Sequence, residues 1–259
     1  MNHLHYILKY ISHFFLARNT RGFGVHSPFL FQFTRYVLCE KNSYYIFQSI
    51  EYLRSKLKKD SRKVGITDFG TGRNRTETVS EITNKSLKSA KYGQLLFRMV
   101  HYFKARDVLE LGTSLGITTS YLASASSEIH CVSLEGCLEI AEIARENIDK
   151  LAIKNIELVT GNINNTLTVV LDQTNKLDFV FIDANHQSKA ILNYFNLCLS
   201  KVHSNSVIVI DDIYWSSDME TAWKKIKDFP QVMSTIDLFE LGIVFFNPDL
   251  HKKHYKMRY

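Results

Sequence analysis

Val108-Leu-Glu-Leu-Gly-Thr-Ser-Leu-Gly116, continued by Ile117-Thr-Thr-Ser-Tyr-Leu-Ala123, is the stretch from which the fold can be read. An apolar run passes through two glycines into Thr and Ser and then adopts helical spacing, so it reads as strand, tight turn, helix. Gly112 and Gly116 allow backbone to approach a ligand closely. Glu110 falls at the carboxyl end of the strand, the edge at which open parallel sheets hold their ligands. Ser114 stands where a dinucleotide fingerprint has its second glycine, which disfavours a pyrophosphate against the turn and favours an adenosyl ligand without phosphates.

Working outward, short apolar strands are expected at 107–111, 129–134, 156–159, 178–182 and 206–210, with helices between them, notably 138–151 and 188–199. That alternation predicts right-handed βαβ units on a parallel sheet. After a helix near 218–229, strands 232–237 and 241–246 are too close in sequence for a crossover and must form an antiparallel hairpin. The fold class is therefore α/β: a Rossmann-like, seven-stranded, mostly parallel sheet with an antiparallel C-terminal hairpin and an N-terminal helical extension.

The 259 residues are 45% hydrophobic and 22% charged, enough for one large domain with an appendage. The net charge of +6 is concentrated at the two ends rather than in one stripe, which permits nucleic acid without indicating it. Cys39, Cys131, Cys137 and Cys198 show no metal spacing and sit among apolar residues, so a reducing cytoplasm is the expected location. Leu4 to Leu16 is interrupted by His5, Lys9 and His13 and is too short to span a bilayer; it reads as an amphipathic helix that packs on the main domain. The basic run His251-Lys-Lys-His-Tyr-Lys-Met-Arg258 leaves weak membrane-surface contact as the alternative.

Ser27 and Pro28 suit a helix N-cap and first helical position, so His26 reads as structural, with a substrate contact the lesser reading. A further helix is expected from Tyr45 to Lys58. Asp68-Phe-Gly-Thr-Gly72 lacks a flanking strand and apolar helix and is read as a decoy; Arg73 and Arg75 beside it read as solvated, or as a greeting for an acidic substrate group. Residues 76–90, rich in serine and lysine, suggest a lid or boundary. These divisions give an extension over 1–90, a main domain over 91–250 and a basic tail over 251–259.

The parallel sheet with its terminal hairpin, the glycine turn after the first strand and the acid after the second together resemble the class I S-adenosylmethionine-dependent methyltransferases. Tyr92-Gly93-Gln94-Leu95-Leu96 ahead of Glu110, Gly112 and Gly116 brings the resemblance closer to metal-dependent small-molecule O-methyltransferases, of the catechol, caffeoyl-CoA and antibiotic-sugar kinds. The resemblance implies that Gly93, Gln94, Glu110, Gly112, Ser114, Gly116 and Thr118 line the S-adenosylmethionine site. Glu135 would accept the ribose hydroxyls, Asn162 would meet the adenine, and Asp183 would border the cofactor.

Asp183 after the fourth strand and Asp211 and Asp212 after the fifth place three acids at one sheet edge. Such a cluster repels itself unless a cation is shared or protons are taken up, and Mg2+ is the simplest partner. The resembled enzymes carry a lysine base three residues after the first aspartate; this chain has His186 there and Lys189 a turn further on. Tyr214 and Trp215 would wall the substrate pocket or simply pack, with packing favoured.

The sequence thus points to a methyltransferase acting on a hydroxyl of a small molecule with metal assistance. A homodimer is compatible with it, and nucleic acid is disfavoured by the lack of a base-methylating Asn-Pro-Pro-Tyr-type motif. The alternatives are a metal-independent methyltransferase acting on nitrogen, protein or nucleic acid, and a non-catalytic membrane-surface interaction protein.

Overall fold

The structure, a computed structural model, describes residues 3–67, 69 and 74–259, with the side chains of residues 3–5 left aside. The chain divides into two compact units. One comprises the chain up to Glu40 together with Thr174–Tyr259, and the other is Lys41–Gln173.

The first unit opens with α1 (His3–Leu16) and α2 (Pro28–Phe33), the latter running on into a short wider-wound turn over Thr34–Leu38. Ser27 caps α2, its hydroxyl accepting from the Leu30 N–H at 3.4 Å, and Pro28 takes the first helical position as expected. Residues 6, 10, 13 and 17 share one face of α1. Tyr6 and Tyr10 meet the ring of Phe239 at 5.0 and 5.1 Å, and His13 Nε2 lies 3.1 Å from Asp237 Oδ1.

The second unit begins with α3 (Tyr45–Leu57), followed by an antiparallel hairpin of β1 (Lys63–Thr67) and β2 (Asn74–Thr78). The Asp68–Gly72 glycine motif lies between β1 and β2 in the sequence; apart from Phe69 it is outside the described residues, as is Arg73, while β1 is a strand just ahead of it where none was expected. Thr78 then caps α4 (Val79–Lys85) in a reciprocal box: its hydroxyl accepts from Glu81 N–H at 3.2 Å, and the Glu81 carboxylate accepts from Thr78 N–H at 2.8 Å. Part of the serine- and lysine-rich stretch read as a lid or boundary is therefore a capped helix.

From there the unit alternates: α5 (Ala90–Phe103), β3 (Asp107–Leu111), α6 (Ile117–Ala123), β4 (His130–Glu135), α7 (Leu138–Lys150), β5 (Ile156–Thr160) and α8 (Ile163–Gln173). The three strands β3, β4 and β5 pair in parallel in that order. Val108, Leu109, Leu111, Cys131 and Leu134 are all 1% exposed or less, the near-continuous burial expected of parallel strands covered on both faces.

The first unit resumes with β6 (Leu177–Ile182), α9 (Ser188–Leu199), β7 (Val202–Asp211), α10 (Ser217–Asp228), β8 (Ser234–Asp237), β9 (Leu241–Phe245) and β10 (Lys253–Lys256). Its strands run in the order β10, β8, β9, β7, β6. The expected hairpin is β8 against β9, antiparallel, and β9 in turn pairs antiparallel with β7. This unit has five strands rather than the four expected of it. The extra one is β10, which lies in parallel beside β8, so residues expected as a basic tail contribute a strand.

The four cysteines are free thiols, and burial pushes the Cys198 thiol up to about 12, in keeping with their reading as small hydrophobes. Among the described residues no helix is long and apolar enough to cross a membrane.

Asp237 secures the contact between α1 and the β8–β9 turn, accepting from the Tyr214 hydroxyl at 2.6 Å and from the Phe239 N–H at 3.0 Å. Burial raises its carboxyl pKa, but the hydrogen bonds from His13, Tyr214 and Phe239 together outweigh burial and hold it below the ordinary value of 3.8. A carboxyl lowered on folding contributes stability above its unfolded value and loses it as pH falls through the folded one. Asp237→Asn is therefore expected to cost about 2 kcal/mol at pH 7, with the gap from wild type closing below about pH 4 in urea unfolding. A gap independent of pH would contradict this account.

Candidate active site

In the 41–173 unit the glycine turn is built as its sequence requires. Gly112, Ser114 and Gly116 all have positive φ, at 100°, 48° and 77°. A Cβ on Gly116 would also stand 3.3 Å from the Ala144 carbonyl oxygen of α7, so this glycine serves both conformation and close packing. The turn is tied to the neighbouring strand, since the N–H groups of Gly112 and Thr113 both donate to the Leu134 carbonyl at 2.9 and 3.2 Å.

Glu135 follows Leu134 at the end of β4. One carboxylate oxygen accepts from the Ser114 N–H at 2.8 Å and the other from the Cys137 N–H at 2.9 Å. One bond to each oxygen fixes the orientation of the carboxylate. The Glu135 carbonyl accepts from the Gly161 N–H at 2.8 Å, placing the end of β5 alongside. Asn162 follows, with its side-chain oxygen accepting from the Asn164 N–H at 3.0 Å at the start of α8. The ring of Phe69 lies 3.1 Å from where a Gly136 Cβ would be.

Glu110 is fully buried. Its Oε2 accepts from the hydroxyls of Thr119 on α6 and Ser133 on β4, the latter at 2.6 Å, and Ser133 Oγ is 2.5 Å from Thr113 Oγ1. This network locks the strand, the turn and the helix after it, and with burial it pushes the Cys131 thiol well up. Thr119, Ser133 and Thr113 were not singled out from sequence. The signal was there in principle: a carboxylate inside an apolar strand needs hydroxyl donors from the elements beside it.

Gly93 and Gln94 serve packing between α5 and α6. A Cβ on Gly93 would stand 2.6 Å from the Tyr121 ring, and Gln94 hydrogen-bonds the Tyr121 hydroxyl, which itself donates to Glu51 at 2.8 Å. Burial foremost, and then Glu51, holds this phenol well above its ordinary value. Thr118 is buried in the first turn of α6. Arg75 pairs with Glu77 at 3.1 Å.

In the other unit, Asp183 follows β6, while Asp211 ends β7 and Asp212 follows it. His186 Nε2 lies 3.5 Å from Asp183 Oδ1 and 3.5 Å from Asp212 Oδ2, so the two carboxylates bracket the imidazole. Asp211 is 2% exposed and its Oδ1 accepts from the Asp212 N–H at 2.9 Å, while Asp212 turns the chain with φ 51°. Trp215, 39% exposed, has its ring 5.8 Å from that of His186. Tyr214 is buried and stacks on Phe239, the packing role favoured from sequence. Lys189 is exposed on the first turn of α9 and outside the hydrogen bonds and ion pairs of this cluster, and His26 is exposed as well. Asp218, also missed in the sequence, accepts from the Ser188 N–H at 2.6 Å and so anchors the start of α9.

Asp183, Asp211 and Asp212 are the residues expected to hold magnesium. Among the described residues no three His, Cys, Asp or Glu side chains stand in an arrangement that could hold a metal ion. Asp211 is engaged with its own chain, and an imidazole nitrogen lies within 3.5 Å of each of the other two carboxylates. The donor set does not fit a shared divalent ion as it is arranged here.

Residues 109–213, from the glycine-turn strand to the acidic strand ends, match the family model described as a methyltransferase domain. This segment is similar to methyltransferase domains. Relatives of the chain include a catechol O-methyltransferase of Mycobacterium tuberculosis, 32% identical over 127 residues, covering 48% of this chain and 56% of that protein. A catechol O-methyltransferase of Niastella koreensis is 27% identical over 128 residues, covering 48% and 57%. The chain thus spans about half the length of the curated relatives it matches. Among solved structures, an O-methyltransferase from Bacillus cereus in complex with SAH aligns with a TM-score of 0.56 at 22% identity, covering 83% of this chain and 96% of that one. The O-methyltransferase TomG from Streptomyces achromogenes, in complex with SAM, aligns at 0.58 and 18%, covering 79% and 91%. At these identities the structures show the fold, and it is that of the Rossmann-like methyltransferases.

Within this segment the hydroxyls around Glu110 are open to a direct test. Thr119→Val removes one of its donors from a fully buried carboxylate and is expected to destabilise the protein by about 1–3 kcal/mol, with Ser133→Ala falling in the same range. Thermal unfolding measures both, and a melting temperature unchanged in either variant would contradict the network.

Proposed function

We propose that this chain transfers the methyl group of S-adenosylmethionine to a hydroxyl of a small molecule. The observation that carries this reading is Glu135, a carboxylate at the end of β4 oriented beside the glycine turn by the N–H groups of Ser114 and Cys137. Two vicinal hydroxyls, as on a ribose, match such a carboxylate. Asn162 beside it would meet the adenine edge through its amide. The turn of Gly112, Ser114 and Gly116, with Thr118, would face the amino-acid end of the cofactor, and Asp183 its sulfonium side.

His186 is the proposed base. It takes the proton of the acceptor hydroxyl as the oxygen lone pair attacks the sulfonium methyl carbon. The carbon–sulfur bond then breaks with its electron pair passing to sulfur, releasing S-adenosylhomocysteine. Asp183 and Asp212, each 3.5 Å from His186 Nε2, stabilise the imidazolium that forms. The relatives named catechol O-methyltransferase favour a hydroxyl acceptor, with vicinal diols the first class to try. Lys189, exposed and apart from the cluster, is a poorer candidate for the base. No step of this scheme passes through a metal.

Transfer of labelled methyl from S-adenosylmethionine to a panel of catechols, phenols and sugars tests the proposal. His186→Ala is expected to lower kcat by about 100-fold or more while leaving S-adenosylmethionine affinity within about twofold. Activity should persist in chelator. Full activity in His186→Ala would remove the base assignment, and activity abolished by chelator and restored by magnesium would overturn the metal-free scheme.

A further inference from the structure

We propose that the unit formed by the chain up to Glu40 and Thr174–Tyr259 carries a docking surface for an anionic lipid bilayer, centred on the outward face of α1. This rests on features apart from the cofactor and acid residues and stands whether or not the methyl-transfer reading does.

The helix has two apolar faces. One is the inner face already described, packed on Phe239 and Asp237. The other carries Ile7, Leu8, Ile11, Phe14 and Phe15, which follow the i, i+1, i+4, i+7, i+8 spacing of a single stripe and are 53%, 57%, 47%, 43% and 72% exposed. A helix packed on a water-soluble body ordinarily presents polar residues there. Leaving such a stripe in water forgoes the gain of burying it, a pattern that marks an interaction surface.

Charge identifies what the surface fits. Residues 1–39 contain Lys9, Arg18, Arg21 and Arg35 and no Asp or Glu, and residues 251–259 contain Lys252, Lys253, Lys256 and Arg258 and again no acid. These eight cations more than account for the whole net charge of +6. The fold joins the two segments: Asn19 N–H donates to the Lys256 carbonyl at 3.3 Å, Arg258 N–H donates to Thr20 Oγ1 at 2.9 Å, and the Arg258 guanidinium sits 4.2 Å from the centre of the Phe14 ring. Arg18 and Arg258 therefore edge the apolar stripe, while Lys9 on the same helix pairs with Glu220 at 2.8 Å. Arg18, Arg21 and Arg35 are exposed, and Phe23, 79% exposed, projects from the turn after Arg21. Aromatic and aliphatic side chains entering the acyl boundary while arginine and lysine meet phosphates is the chemistry of an interfacial helix on an anionic leaflet. A second copy of the chain fits less well, because a two-fold contact through this face would set the cationic rim against itself. With no spanning helix among the described residues, the attachment is peripheral.

The test is co-sedimentation of the full chain with vesicles of phosphatidylcholine alone and of phosphatidylcholine containing one third phosphatidylglycerol. Binding is expected to the anionic vesicles, falling as salt is raised. Leu8→Asp with Phe15→Asp, and separately Arg18→Glu with Arg21→Glu, should each weaken it by about tenfold or more, while Phe15→Leu retains it. All substituted side chains are exposed, and circular dichroism verifies that the variants fold. Failure to sediment with anionic vesicles would overturn the proposal. So would equal recovery on neutral ones, or light scattering showing a dimer that Leu8→Asp with Phe15→Asp dissolves.

Discussion

The backbone hydrogen bonds into Glu135 are the constraint on which the 41–173 unit turns. A strand-end carboxylate can be oriented by the Ser114 N–H only if the preceding turn is left-handed where it needs to be, and the positive φ values at Gly112, Ser114 and Gly116 satisfy that requirement. The turn in turn holds its shape because Gly112 and Thr113 donate to Leu134 and because Oε2 of the buried Glu110 accepts hydroxyls from both neighbouring elements. One side chain therefore registers β3, β4 and the start of α6 together. The same bonds fix the direction in which the Glu135 carboxylate points.

The other unit shows a different economy. Asp237 gathers His13, Tyr214 and Phe239, so α1 is held through a buried polar contact as well as through aromatic packing. That anchor uses one face of the helix and leaves the other free of any role in the core. At the strand ends, His186 between Asp183 and Asp212 balances two carboxylates with one imidazole, an arrangement suited to moving a proton.

The long periodic elements were legible because burial on both faces writes itself as unbroken apolar runs: Val207 to Ile210 and Phe179 to Ile182 could be little else. The glycine turn and the acid after β4 were legible because positive φ and strand-end position restrict residue type. The β1–β2 hairpin was not, since β2 is polar throughout and the alternation of β1 rests on only Val64 and Ile66 within a charged stretch. Strand β10 was hidden by its charges, only Tyr255 of its four residues being buried. The arrangement around the three acids is not legible in the sequence. Counting Asp183, Asp211 and Asp212 gives three acids, but it does not reveal that the Asp211 carboxylate caps the next residue's N–H or that an imidazole reaches the remaining two.

The central claim is that Glu135 holds an adenosyl ribose, and calorimetric titration with S-adenosylhomocysteine tests it most directly. Wild-type protein is expected to bind, and Glu135→Ala to bind at least about tenfold more weakly while remaining folded, the loss of two charge-assisted hydrogen bonds. Equal affinity in the two proteins, or no binding to the wild type, would contradict the account.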